Sequence, residues 1–158
     1  MLLEDLKTFL EKNIDLIDAH KFNDLYEKSQ INQRGFLTQA LLFAKINPLD
    51  YFTYKIPRGA FIRTFQFTDV GIPEGIQIID TGAFHECENL HEIHLPSTLV
   101  ELGMRCFGYC KNLSTVYYNG TSEQWTNVTW KLDPFVETAV KQIVCKDTVI
   151  EYMPYRKE

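Results

Sequence analysis

IPEGIQIIDTGAFHECENLHEIH, residues 72–94, is followed directly by LPSTLVELGMRCFGYCKNLSTVY, residues 95–117. The two stretches align without a gap at an offset of 23 residues. Eight aligned pairs are identical or chemically similar: Pro73 and Pro96, Ile76 and Leu99, Ile79 and Leu102, Phe84 and Phe107, Cys87 and Cys110, Asn89 and Asn112, Leu90 and Leu113, Ile93 and Val116. A fixed period of this kind is typical of solenoids, in which each unit stacks on the next and like residues form ladders.

A more divergent copy precedes these two repeats. One period earlier, Ala60-Phe61 aligns with Ala83-Phe84, and Val70 aligns with Ile93. Phe67 and Ile72 fall at the positions of Leu90 and Leu95. The sequence therefore predicts one degraded repeat over about residues 49–71 and a repeat region over 49–118.

Each repeat ends in a predicted strand. Ile93 and Leu95 alternate with Glu92 and His94, and this period of two is typical of a half-buried strand whose apolar residues point inward. The Cys-x-Asn-Leu segment before each strand begins at Cys87 or its counterpart one repeat later. It predicts a turn in which a buried thiol and an amide satisfy the backbone.

The repeat unit resembles a known family. Pro-x-x-Ile-x-x-Ile followed by Ala-Phe-x-x-Cys-x-x-Leu-x-x-Ile is similar to the BspA-type leucine-rich repeats of bacterial proteins, over about residues 56–150. YYNGTSEQW (117–125) and VCKDTVI (144–150) are similar to C-terminal motifs of that family, although Thr148 stands where relatives carry Gly. The resemblance implies a short leucine-rich-repeat solenoid, whereas many relatives are secreted surface proteins with longer arrays.

The segments on either side of the repeats complete an α+β prediction with a small parallel sheet. Residues 119–158 are predicted to form an aromatic C-terminal cap, for which Trp125, Trp130 and Phe135 supply bulky side chains. Residues 1–48 are predicted to form a helical segment in three amphipathic stretches, the last ended by Asn47-Pro48. Two interpretations of these helices stay open: they cap the solenoid, or they present residues to a partner.

The composition of the chain limits the classes of partner and the cellular locations that we expect. Sixteen basic and 21 acidic residues give a net charge of -5, which opposes the phosphate neutralisation on which nucleic-acid binding depends. The longest apolar run, Ala40 to Ala44, is far below the roughly 18 residues that span a bilayer. The chain starts without a basic leader, and its four cysteines are interpreted as reduced thiols. These features predict a cytoplasmic protein with no membrane segment.

One segment of the sequence contains several residues of types that bind zinc. His85, Cys87, His91 and His94 are zinc-ligand types within ten residues. However, Cys87 is a predicted core position, and an odd step separates His91 from His94 along the strand, so we expect them on opposite faces. Motifs of a catalytic nucleophile and of a phosphate-binding loop are both missing. The prediction is a non-enzymatic protein without metal or cofactor.

The predicted functional surface is the exposed side of the strands. Its partner-binding residues at equivalent strand positions are Asp69, Glu92, His94, Thr115 and Tyr117. Tyr117 and His94 are predicted anchors for a protein partner, and the two carboxylates favour a basic patch on it. The alternatives are an ordinary hydrated sheet face, a small inhibitor of a host or regulatory enzyme encoded by a phage or mobile element, and a metal-dependent enzyme that uses His85–His94.

Overall fold

The computed structural model describes Lys12 and residues 47–154. The predicted helical segment over 1–48 therefore lies almost wholly outside the described residues. At its end, Asn47 and Pro48 begin a 3-10 helix, Pro48–Tyr51, in which the Asn47 side chain accepts a hydrogen bond from the Leu49 amide at 3.1 Å. Proline suits this first helical position because it has no amide hydrogen to leave unpaired.

Eight strands in residues 47–154 form two sheets. The first sheet is wholly parallel and contains β1 (Lys55–Ile56), β3 (Ile78–Ile79) and β5 (Glu101–Leu102). The second contains the parallel strands β2 (Asp69–Gly71), β4 (Glu92–Leu95), β6 (Thr115–Tyr118) and β7 (Gln142–Val144), with β8 (Val149–Glu151) antiparallel at its edge. Each coil thus contributes one strand to the second sheet.

The register of the sheets confirms the period of 23. Val70, Ile93 and Val116 are paired across β2, β4 and β6, and all three are buried. The same offset stacks Phe84 between Phe61 and Phe107, with ring centroids 5.0 and 5.1 Å apart. The degraded first repeat is therefore a full coil, because its apolar residues occupy the same ladders.

The turn before each strand contains the predicted thiol and amide contacts. Cys87 Sγ donates to the carbonyl oxygen of Phe61 at 3.2 Å, and Cys110 Sγ donates to that of Phe84 at 3.0 Å. The side-chain amide of Asn89 donates to the Phe65 carbonyl at 2.9 Å, and the equivalent amide one coil later does the same. The conserved chemistry of this turn therefore ties each coil to the one before it.

The segment after Tyr118 adds a fourth coil. Phe135 stacks on Phe107 at 5.2 Å with the rings 7° from parallel, and β7 pairs in parallel with β6. The extra length of this coil includes the short helix α1 (Ser122–Thr126), which begins with a capping box formed by Thr121 and Gln124. A separate aromatic cap is thus not confirmed, because Phe135 continues the ladder.

The remaining aromatic residues of this region pack around the fourth coil. Trp125 is buried and contacts both Tyr118 and Trp130, at ring distances of 5.2 and 5.8 Å. Tyr152 meets the ring of Phe135 edge-on at 5.2 Å. Within residues 47–154, helix is limited to the 3-10 turn and α1, so this part of the chain is a β-solenoid of about four coils and the α+β class is not confirmed.

Among the described residues, no helix has both the length and the apolar character needed to cross a bilayer.

Candidate binding surface

The five predicted partner-binding residues lie on one side of the second sheet, which we call the strand face: Asp69, Glu92, His94, Thr115 and Tyr117. Burial alternates along β2, β4 and β6, so that each exposed or partly buried residue is followed by a buried one. This confirms the predicted period of two. Asp69 and His94 are exposed, while the other three side chains are half-buried.

One row across the strand face is aromatic. Gly71, His94, Tyr117 and Val144 are neighbours in register on β2, β4, β6 and β7. The imidazole of His94 stacks on the ring of Tyr117 with centroids 4.5 Å apart and planes 12° from parallel. Because Gly71 has no side chain, the other face of the imidazole has no neighbour in this row. The row therefore presents a flat, rigid surface at its centre.

The adjacent row is acidic. Asp69 and Glu92 are direct partners in the parallel register of β2 and β4, a position at which two like charges repel each other. The Nε2 atom of His94 lies 3.4 Å from Asp69 Oδ1. Within residues 47–154, the ion pairs of lysine and arginine are made with other carboxylates. Among the residues that the structure describes, no lysine or arginine therefore neutralises the negative charge of this row.

A pocket of about 430 Å³ opens beside the aromatic row. Its walls combine apolar and aromatic side chains with a few polar groups at the edge: Ile72, Glu74, His94, Leu95, Pro96, Tyr117, Tyr118, Asn119, Val144, Cys145 and Lys146. The mixture of a mostly apolar wall and a small number of placed polar groups is typical of ligand-binding pockets. The pocket extends the strand face towards the start of the next coil.

Glu74 is the fixed anionic group of this pocket. Its carboxylate accepts hydrogen bonds from the amide and hydroxyl of Ser97, at 3.0 and 2.9 Å, and from the Asn119 side chain at 2.5 Å. Partial burial acts to raise the pKa of Glu74, but these hydrogen bonds outweigh it and lower the pKa. The side chain is therefore ionised at neutral pH.

Sequence reasoning missed Glu74, Asn119 and Lys146. A signal for the first existed, because Glu74 and Ser97 occupy equivalent positions 23 residues apart and the register places equivalent residues side by side. No comparable signal existed for Asn119, whose contact with Glu74 spans two coils.

The histidine and cysteine set considered as a zinc site does not come together. Cys87 is buried and bonded to a backbone carbonyl. His85 lies 3.2 Å from Glu86, and His91 Nδ1 lies 2.7 Å from the Asn89 carbonyl oxygen. His91 precedes β4, so the strand alternation does not govern it, and both His91 and His94 are exposed.

A different set of three metal-ligating side chains does lie close together. Asp69, Glu92 and His94 each offer one ligand atom, and these three atoms lie within 4.8 Å of one another. The set combines two coils, because Asp69 belongs to β2 and the other two residues belong to β4.

Comparison with known proteins identifies the repeat. The profile of the BspA type leucine rich repeat region matches residues 54–150, in six copies, which is more than half of the chain. The chain belongs to the BspA-type leucine-rich-repeat family. In this leucine-rich-repeat protein, the strand face is built from the last strand of each repeat.

One solved structure similar to this leucine-rich-repeat protein is a leucine-rich cell surface protein from Faecalibacterium prausnitzii. The two sequences are 31% identical over 48% of this chain, with a TM-score of 0.46. The match spans only 20% of the length of that protein. No curated protein matches the chain.

Proposed function

We propose that this chain is a non-enzymatic protein-binding module whose contact surface is the strand face together with the adjoining pocket. The observation that carries the proposal is the His94–Tyr117 stack, with centroids 4.5 Å apart, at the wall of the 430 Å³ pocket. Aromatic side chains next to a pocket are frequent anchors of protein interfaces, because a partner side chain that enters the pocket is largely removed from water.

The rigidity of the surface supports this function. The strands that carry the aromatic row are locked in register by the ladders beneath them, including Ile93 and Val116, which are fully buried. A preorganised surface loses little conformational entropy when a partner binds. Tyr117 is half-buried and stacked, so its ring is already held in place.

The charges of the surface indicate the chemistry of the partner. Glu74 provides an ionised carboxylate in the pocket, and Asp69 and Glu92 add negative charge on the strand face. Complementary charge favours correct encounter and excludes partners of the wrong sign. The partner is therefore expected to place an apolar or aromatic side chain in the pocket and a basic side chain over the acidic row.

The proposal is tested by affinity capture with the full chain and matched variants. Wild-type protein, Tyr117→Ala and the control Tyr54→Ala are immobilised and exposed to a lysate of the source organism. Tyr54 is a suitable control because it is exposed and lies outside the strand face. A protein retained by the wild type and by Tyr54→Ala is expected to be reduced at least about tenfold on Tyr117→Ala, the size of a hot-spot loss.

Glu92→Lys is a second variant for the same capture, because it replaces one of the two negative charges of the acidic row with a positive charge, so that the net charge of the row becomes zero, and it leaves the residues of the aromatic row unchanged. The proposal fails if every captured protein is retained equally by Tyr117→Ala and Glu92→Lys, with the fold of both variants verified by circular dichroism. Protein binding by another surface would then be the explanation.

The sequence also suggested an inhibitor of an enzyme and a metal-dependent enzyme. No observation in residues 47–154 favours an inhibitor over any other protein-binding role, and His85, Cys87 and His91 lie outside the cluster of metal-ligand types that includes His94. The cytoplasmic location stays a prediction from the sequence.

A further inference from the structure

Asp69, Glu92 and His94 form the one cluster of three histidine, cysteine or carboxylate ligands in the described part of the chain. Asp69 and Glu92 are side by side in the register of β2 and β4, and His94 is the next outward residue along β4. All three side chains therefore leave the same face of the sheet. Their three ligand atoms lie within 4.8 Å of one another.

The spacing fits a small divalent ion. Two ligand atoms that each lie about 2.1 Å from a metal and form a tetrahedral angle are roughly 3.4 Å apart. His94 Nε2 and Asp69 Oδ1 are separated by 3.4 Å. The side chain of Glu92 is long enough to complete the site by rotation about its own bonds.

The histidine of the cluster is held in the orientation that a ligand needs. Its ring is stacked on Tyr117, 12° from parallel, which restricts rotation of the imidazole. Its Nε2 atom is the one directed at Asp69. A ligand that is ordered before the metal arrives loses less entropy on binding.

The negative charge of the cluster also favours the binding of a cation. Asp69 and Glu92 are like charges in direct register, an arrangement that costs stability. Elsewhere on the solenoid, carboxylates such as Asp80 and Glu86 have a lysine or arginine partner. In the described part of the chain, the ion pair of the acidic row is the one between Asp69 and His94, and a bound divalent ion would relieve the repulsion between the two carboxylates.

We propose that Asp69, Glu92 and His94 bind a divalent transition-metal ion of the Zn²⁺ type, with its remaining coordination positions open to water or to a carboxylate of a partner. One imidazole nitrogen with two carboxylates suits such an ion, whereas Ca²⁺ and Mg²⁺ prefer oxygen ligands alone. The ion would join β2 to β4 and thereby link two coils. This inference does not depend on the proposed function, although a metal and a basic side chain would compete for the same acidic row.

The test is a calorimetric titration of the full, reduced chain with ZnCl₂. One ion per chain is expected for the wild type. His94→Ala and Asp69→Asn are each expected to weaken binding at least about tenfold, in line with the loss of one direct ligand, since even outer-shell changes cost that much. The matched control is His91→Ala, because His91 is an exposed histidine three residues away that lies outside the cluster; its affinity should equal that of the wild type.

Two further measurements make the outcome decisive. Zinc is expected to raise the melting temperature of the wild type and of His91→Ala, but not that of His94→Ala, because only a folded pair of coils brings the ligands together. Equal zinc affinity in the wild type and His94→Ala would overturn the proposal, and so would the absence of binding. CaCl₂ should bind more weakly than ZnCl₂; tighter binding of Ca²⁺ that is insensitive to His94→Ala would also overturn it.

The experiments distinguish a failure of the zinc-binding proposal from a failure of the protein-binding proposal. Zinc binding is measured with the purified chain alone and is reported by Asp69→Asn, a change that leaves the His94–Tyr117 stack in place. Protein capture is measured with a chelator present and is reported by Tyr117→Ala.

Discussion

The buried and the exposed side of the second sheet share one strand register, but that register pairs apolar residues on the buried side and two carboxylates on the exposed side. Beneath the sheet, the offset of 23 residues stacks Phe61, Phe84 and Phe107 at about 5 Å, where like residues attract. On the strand face, the same offset places Asp69 beside Glu92, where like residues repel. Stacking of equivalent residues therefore stabilises the core, whereas it destabilises this part of the surface through charge repulsion.

The like-charge pair is a local property of the strand face. On other parts of the solenoid, ion pairs between neighbouring coils join opposite charges: Arg63 Nε lies 2.7 Å from Glu86, and Lys55 Nζ lies 2.9 Å from Asp80. The proposed binding of a cationic group requires this difference, because carboxylates that are already paired with a lysine or arginine attract a cation less strongly.

The largest effect on the free energy of unfolding is predicted for the phenylalanine ladder of the core. Phe84→Ala should lower the free energy of unfolding by about 3–5 kcal/mol, as removal of a buried aromatic ring commonly does. Phe84 is fully buried and stacked on both sides, so the loss would open a gap in the centre of the ladder. Urea unfolding followed by circular dichroism measures it.

The matched control for the core prediction is Phe65→Ala. Phe65 lies in the preceding coil and is 49% exposed, so its removal should cost less than about 1 kcal/mol. Similar losses at both positions would contradict the central role of the ladder.

An intermediate effect is predicted for the opposite-charge contacts. Partial burial acts to raise the pKa of Asp80, but hydrogen bonds from Lys55 and from the Thr81 amide outweigh it and lower the pKa. A lowered pKa means that the stabilising contribution is present above the unfolded value of 3.8 and is lost as the pH falls through the lower folded value. Asp80→Asn should therefore cost about 0.5 kcal/mol at pH 7, a value limited by solvent screening.

The pH dependence distinguishes this contact from a packing effect. The difference in unfolding free energy between the wild type and Asp80→Asn should shrink as the pH is lowered below about 4, because the wild-type carboxyl then takes up its proton. Since the asparagine side chain can still accept the hydrogen bond from the Thr81 amide, which is 2.7 Å long in the wild type, a difference that persists at acid pH would point to packing instead.

The smallest effect is expected on the strand face, and it has the opposite sign. Glu92→Gln should raise the free energy of unfolding by about 0.3 kcal/mol, because it removes one of two like charges in direct register. Urea unfolding at low ionic strength with a chelator present measures the change, which should fade as salt screens the repulsion. Glu151→Gln is the control, since Glu151 pairs with the uncharged Gln142; a loss of stability specific to Glu92→Gln would refute the repulsion.

The architecture of the repeats could be predicted because its causes are periodic. The aligned Phe84 and Phe107 predicted the stacked ladder. Cys87 predicted a buried thiol bonded to the backbone, and the structure shows that its acceptor is a carbonyl of the preceding coil, at 3.2 Å. The fourth coil could not be found by the same comparison. Phe135 follows Phe107 by 28 residues instead of 23, so a search at a fixed period does not reach it.

The candidate site was predictable only in part, for a similar reason. Strand alternation gave the five residues of the strand face, because alternation follows from the backbone alone. The carboxylate contacts of Glu74 and the convergence of Asp69 with His94 depend on side-chain reach between coils. Such reach leaves no periodic trace in the sequence, so the sequence pattern directs the zinc hypothesis to His85, Cys87, His91 and His94, a set that shares only His94 with the cluster in the structure.

The insertion that contains α1 has a practical consequence for protein engineering. The fourth coil accommodates this extra turn, Ser122–Thr126, and still returns β7 to the sheet beside β6. The step from Phe107 to Phe135 is 28 residues instead of 23, and β6 and β7 are nevertheless paired in parallel. An epitope or a reporter peptide inserted between the exposed residues Thr126 and Asn127 keeps the buried Trp125 in place and should leave the rest of the array intact, which would make this turn a natural attachment point.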